Sequence, residues 1–124
     1  MKSKKILLLD GQRDCLWLEA LGEATSALDI TLEIASRASM EHIPWHDYDL
    51  IILDAGAISD VLSTISWIHA QDSGAGVVIL SPAPTWKQAR EVMLAGAVDY
   101  ARKSLDRDYI IATLEKNLAR WALS

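Results

Sequence analysis

The sequence predicts an α/β fold, a doubly wound sheet of five parallel strands in the order 2-1-3-4-5. Three observations carry the prediction. First, short continuous apolar runs at residues 6–9, 50–53 and 77–80 each end on a polar residue, Asp10, Asp54 and Ser81, and a weaker run at 98–101 closely precedes Lys103. Runs of this length bounded by turn residues are strands buried on both faces. Second, segments with helical spacing lie between the runs, so the order is βα repeated. Third, there is no internal repeat, low-complexity segment or interior linker. Short right-handed crossovers then give one twisted sheet, with a crevice between strands 1 and 3 at its C-terminal edge.

The elements follow in order. After the first strand, Gly11 gives a tight turn and Asp14 an N-cap. Leu16, Trp17, Ala20, Leu21, Ala24 and Leu28 fall at helical spacing, with Gly22 a weakening residue. Residues 30–35 alternate through Ile30, Leu32 and Ile34 and form an outer strand. Residues 36–47 are the weakest segment: Ser39 starts a short helix through Met40 and Ile43 that Pro44 shortens or distorts. Asp60 or Ser59 caps a helix carrying Val61, Leu62, Ile65 and Ile68. Residues 72–76 are a loop. Pro82 and Pro84 stiffen the next loop, Thr85 and Gln88 fit a capping box, and that helix runs to Ala95 with Gly96 at its C′ position. Asp106 caps a last helix with the stripe Tyr109, Ile110, Leu114, Leu118 and Trp121.

The totals exclude several classes. At 124 residues, 51% hydrophobic and 23% charged, the chain reads as one globular domain across 1–124, large enough to bury a core. No apolar stretch approaches the ~20 residues that span a bilayer, and the run behind the basic start is too short for a secretory signal. Lys2, Lys4 and Lys5 read as solvated charges, and the expected location is cytoplasmic. A net charge of -5 with scattered Lys and Arg argues against nucleic acid as a partner of this domain. The single Cys15 excludes an intrachain disulfide and reads as a structural or half-exposed thiol. His42 and His46 have metal-ligand spacing, but Pro44 lies between them and no acid or cysteine completes a site, so they are surface residues. The first βα turn, residues 10–14, has no Gly-rich phosphate cradle, which disfavours a small-molecule enzyme.

Parallel strands bring their C-terminal ends to one edge, so Asp10, Asp54, Ser81 and Lys103 converge in one crevice. Residues 48–54 (YDLIILD), 78–81 (VILS) and 95–103 (AGAVDYARK) make the pattern specific. Over its whole length the chain resembles a receiver domain of bacterial two-component response regulators, the CheY-like fold. The resemblance implies a signalling module, not an enzyme. It implies that Asp54 accepts a phosphoryl group from a histidine kinase or phosphotransfer protein. Asp10, Asp54 and the backbone carbonyl of Gly56 would hold Mg²⁺. Ser81 would hydrogen-bond a phosphoryl oxygen, Lys103 would pair with it, and Tyr100 would be the aromatic that swings with Ser81 on activation. The face made by the fourth predicted helix, the fifth strand and the fifth helix would meet an output domain, a partner protein or a second copy, with Trp86 as its anchor. Trp121 falls on the core stripe, and Trp17, Trp45 and Trp67 carry no specific signal.

The pattern also departs from the family. Gly11 stands where a second acid is usual. Residues 55–60 lack the usual proline. Ser104 replaces a cis-proline, so a trans bond is expected. Pro82 removes a backbone N–H beside Ser81. These departures predict weakened or lost Mg²⁺-dependent phosphorylation at Asp54. The alternative is a pseudo-receiver that acts as an interaction or dimerisation module whatever its phosphorylation. Ending just after the last helix, the chain reads either as a single-domain regulator or as an N-terminal piece of a longer one.

Overall fold

The computed structural model describes residues 4–9, 15–71 and 74–122, the last three by backbone alone. Strands β1 (Lys5–Leu9), β2 (Thr31–Ala35), β3 (Leu50–Asp54), β4 (Gly76–Ser81) and β5 (Asp99–Arg102) form one parallel sheet in the order β2-β1-β3-β4-β5. The expected fold class and strand order are therefore found.

Successive strand residues point to opposite faces, and both faces of the central strands are covered. Ile6, Leu8, Leu50, Ile52, Val78 and Leu80 share an apolar layer with Trp17 and Leu21 of α1 (Cys15–Ala27) and with Ile110 and Leu114 of α4 (Arg107–Ala122). Leu7, Leu9, Ile51, Leu53, Val77 and Ile79 share the other with Ile65 and Ile68 of α2 (Val61–Ala70) and Val92 of α3 (Trp86–Ala95). Double-sided burial explains why these strands are continuous apolar runs rather than alternating ones.

The crossover from β2 to β3 differs from expectation. It holds two short 3-10 turns, Arg37–His42 and Trp45–Asp47, and no α-helix. The start is Ser36 rather than Ser39: the Ser36 hydroxyl accepts from the Ala38 N–H at 3.2 Å. Pro44 has no N–H to continue the first turn. The Trp45 indole N–H instead donates to the Met40 carbonyl at 3.2 Å, and the buried ring meets Trp67 edge-on at 5.7 Å. The fourth and fifth predicted helices are accordingly α3 and α4.

Smaller corrections have local causes. Asp60 precedes α2 but makes no side-chain cap, because its carboxylate pairs with Arg37. Leu16 and Leu62, placed on apolar stripes by spacing, are exposed. The fifth strand starts at Asp99, although the Val98 N–H already donates to the Val77 carbonyl at 2.8 Å. Lys5 is not simply solvated: its Nζ lies 2.8 Å from Glu33 Oε2 and 5.4 Å from the Tyr48 ring centroid. Asp106 caps α4 as expected, its Oδ1 accepting from the Asp108 N–H at 3.0 Å. Gly96 ends α3 at φ 120, a conformation that favours glycine. The turn with Gly11, the Asp14 cap, Lys2 and residues 72–73 lie outside the described residues.

Candidate functional site at the C-terminal edge of the sheet

Strand register builds the site. Asp54, the last residue of β3, is paired with Leu80 of β4, so Ser81 stands one step beyond it. Ser81 is paired with Arg102 of β5, which puts Lys103 one step further out. The Lys103 N–H then donates to the Ser81 carbonyl at 2.8 Å, fixing the root of the lysine side chain at the rim.

Asp54 is 2% exposed, and both of its carboxylate oxygens have donors. Lys103 Nζ lies 2.8 Å from Oδ2, and the Gly56 N–H donates to Oδ1 at 2.8 Å. The Asp54 carbonyl accepts from the Ala57 and Ile58 N–H groups, each at 3.0 Å, which closes a tight turn directly after β3. Gly56 suits this crowded turn: a Cβ would stand 3.0 Å from Pro82 Cγ and 3.2 Å from Asp54 Oδ1.

Ser81 is buried, with its hydroxyl oxygen accepting from the Ala83 N–H at 3.2 Å. Pro82 has no N–H, so Ala83 offers the first backbone donor of that loop. The Lys103–Ser104 bond is trans, as expected.

Tyr100 is half-buried and faces α3. Its hydroxyl donates to Gln88 Oε1 at 2.7 Å and accepts from the Thr85 N–H at 3.1 Å, while Thr85 Oγ1 accepts from the Gln88 N–H at 3.1 Å. The capping box expected of Thr85 and Gln88 is present with the tyrosine hydroxyl inserted into it. Trp86, the first residue of α3, is 93% exposed. Cys15, His42 and His46 are exposed.

Asp54, Ser81 and Lys103 thus come together as the sequence predicts. Asp10 and the side chain of Trp121 lie outside the described residues. One residue of the site was missed. Trp17 is 1% exposed, and its ring centroid lies 4.7 Å from Lys103 Nζ. The apolar spacing of α1 marks Trp17 as buried but does not tell which end of the sheet its ring reaches.

For Mg²⁺ the sequence offers Asp54, Asp10 and the Gly56 carbonyl. The ion prefers one or two carboxylates and several waters in octahedral geometry. Among the described residues no group of three His, Cys, Asp or Glu side chains could hold a metal. Asp54 is the one carboxylate described at this edge, and Lys103 and Gly56 already occupy its oxygens. Each carboxylate oxygen carries two lone pairs, so Asp54 can keep both donors and still offer an oxygen to the ion, beside the Gly56 carbonyl; Asp10 lies outside the described residues.

No protein-family model matches the chain. The transcriptional regulatory protein ZraR of Escherichia coli K12 is 32% identical over 116 residues, 92% of this chain. The chain spans about a quarter of the length of that relative, 26%. A response regulator from Thermotoga maritima superposes with TM-score 0.78 at 20% identity, covering 95% of this chain and 99% of that one. HP1043, an orphan response regulator of H. pylori, superposes with TM-score 0.79 at 21% identity, covering 94% and 97%. The similarity to ZraR along nearly the whole chain agrees with the β2-β1-β3-β4-β5 sheet, and the chain has the CheY-like receiver-domain fold found in response regulators.

Proposed function

We propose that this receiver domain takes a phosphoryl group at Asp54 from a histidine kinase or phosphotransfer protein, with Mg²⁺-dependent phosphorylation weakened or lost. The observation that carries the reading is the buried Asp54–Lys103 pair at 2.8 Å. An Asp54 oxygen attacks phosphorus in line, an acyl phosphate bond forms, and the bond to the donor's leaving nitrogen or oxygen breaks. Repulsion between the carboxylate and the phosphoryl oxygens opposes that attack, and a fixed ammonium offsets it. Lys103 would move from the carboxylate to a phosphoryl oxygen. Ser81 would give up its contact with Ala83 and donate its hydroxyl proton to another. When bound, Mg²⁺ supplies further neutralisation of the phosphoryl charge.

The new state would reach an output domain or partner protein through α3, β5 and α4. Tyr100 ties β5 to the start of α3, where Trp86 is exposed. The cytoplasm is the compartment this reading implies; among the described residues no helix is long and apolar enough to cross a membrane.

Acetyl phosphate labelling with and without Mg²⁺, followed by mass spectrometry, tests the proposal. The expected result is a sparse phosphoryl adduct on Asp54 that stays small with Mg²⁺ present and is lost in Asp54→Asn. A large dependence on Mg²⁺ contradicts the weakened site. The absence of any adduct favours the second reading, a phosphorylation-independent interaction module. That reading draws on the Lys103 and Gly56 contacts that already hold the Asp54 carboxylate and on the exposure of Trp86, and it expects Asp54→Asn to leave partner binding or dimerisation unchanged.

A further inference from the structure

The Lys103 ammonium meets a carboxylate on one side and an aromatic face on another. Its Nζ is 2.8 Å from Asp54 Oδ2 and 4.7 Å from the Trp17 centroid. Trp17 comes from α1, Asp54 from β3 and Lys103 from the segment after β5, so three separate elements close on one cation. The ring is held in the apolar layer with Leu8, Ile52, Leu80 and Ile110 and cannot easily turn away.

A lysine stem is long and flexible, and its ammonium is strongly hydrated, so pairing with a buried carboxylate works against both entropy and hydration. An indole face attracts a cation through its quadrupole, and the attraction is strongest where water is excluded. Here the Lys103 side chain is 11% exposed.

We propose that Trp17 is a positioning residue that holds the Lys103 ammonium at the rim independently of the charge on Asp54. With the ring in place, neutralising or modifying the carboxylate does not release the lysine to water. This deepens the acceptor reading and rests on it only for the consequence that an incoming phosphoryl group finds the cation already placed.

The test is ¹H–¹⁵N NMR of lysine ammonium groups on the full, unmodified chain, with the Lys103 signal assigned by its loss in Lys103→Met. The ring current shifts that signal upfield in the native protein. In Trp17→Leu the shift disappears and exchange of the Nζ protons with water speeds by about tenfold. Trp17→Phe, which keeps a ring face, loses less. Asp54→Asn keeps an upfield Lys103 signal, and the double variant Asp54→Asn with Trp17→Leu loses it. An unchanged signal in Trp17→Leu, or equal losses in Trp17→Leu and Trp17→Phe, overturns the proposal.

Should Trp17→Leu not fold, fluorinated tryptophans at position 17 keep the shape while weakening the quadrupole. Exchange then rises with fluorine content if the ring holds the cation, and a flat series overturns the proposal. A chain that acetyl phosphate does not label removes the acceptor reading, while the ammonium signals judge the role of Trp17 on their own.

Discussion

Replacing Lys103 by methionine keeps much of the apolar stem and removes the charge that Asp54 was buried against. The carboxylate, 2% exposed, then has the Gly56 N–H as its remaining donor among the described residues. Breaking a buried ion pair from one side costs ~3–5 kcal/mol, because an uncompensated charge stays behind. The Lys103 side chain is 11% exposed, so water reaches the vacated end and the cost falls at the lower limit, about 3 kcal/mol. For a domain of this size that lowers the melting temperature by roughly 10 °C. Urea unfolding followed by circular dichroism measures it, with an unchanged slope showing that the denatured state is the same. Asp54→Leu combined with Lys103→Met restores most of the loss, since an apolar pair of similar volume replaces a buried ion pair at little or no cost. A loss below ~1 kcal/mol, the value of a solvent-exposed pair, would refute the reasoning. So would a double variant as unstable as the single one.

Tyr100→Phe removes one acceptor and one donor from the start of α3, leaving the Thr85 N–H and the Gln88 side chain to water. The expected cost is about 1–2 kcal/mol, with faster amide hydrogen exchange confined to the first turn of α3; unaltered exchange there would show that the cap stands without the hydroxyl. The pairing of Glu33 with Lys5 gives a pH signature. The hydrogen bond from the Lys5 ammonium holds the Glu33 carboxyl below its ordinary value, with a further contribution from the Tyr48 hydroxyl. A carboxyl lowered by folding adds stability above its unfolded value and loses it as pH falls through the folded one. The stability difference between the native chain and Glu33→Gln therefore narrows in acid and also at high salt, because both side chains are partly exposed. A gap that persists in strong acid would assign the effect to packing.

The parts of the fold that read directly from the sequence are those set by burial on two faces. Residues 6–9, 50–53 and 77–80 could be strands or buried helical pieces by composition alone. Their length, and the polar residue at each end, decided for strands, and parallel register then placed Asp54, Ser81 and Lys103 together. The segment 36–47 did not read, because it is held by an indole hydrogen bond to Met40 and by a proline, neither of which has a period. Asp60 failed as a cap through a distant competitor, Arg37, that local pattern does not reveal. The Thr85–Gln88 box was legible, whereas the hydroxyl inserted into it comes from β5. Trp17 shows the same limit: spacing identifies a buried face, and tertiary packing decides which charge lies over it.

Pro82 and Gly56 approach closely across the mouth of the site: a Cβ on Gly56 would stand 3.0 Å from Pro82 Cγ and 3.2 Å from its Cδ. The loops that leave β3 and β4 are thereby geared to one another. The Gly56 N–H steadies one oxygen of Asp54, and Pro82 opens the segment that leads to Thr85 and Trp86, so the turn that holds Asp54 and the loop before α3 share one close approach.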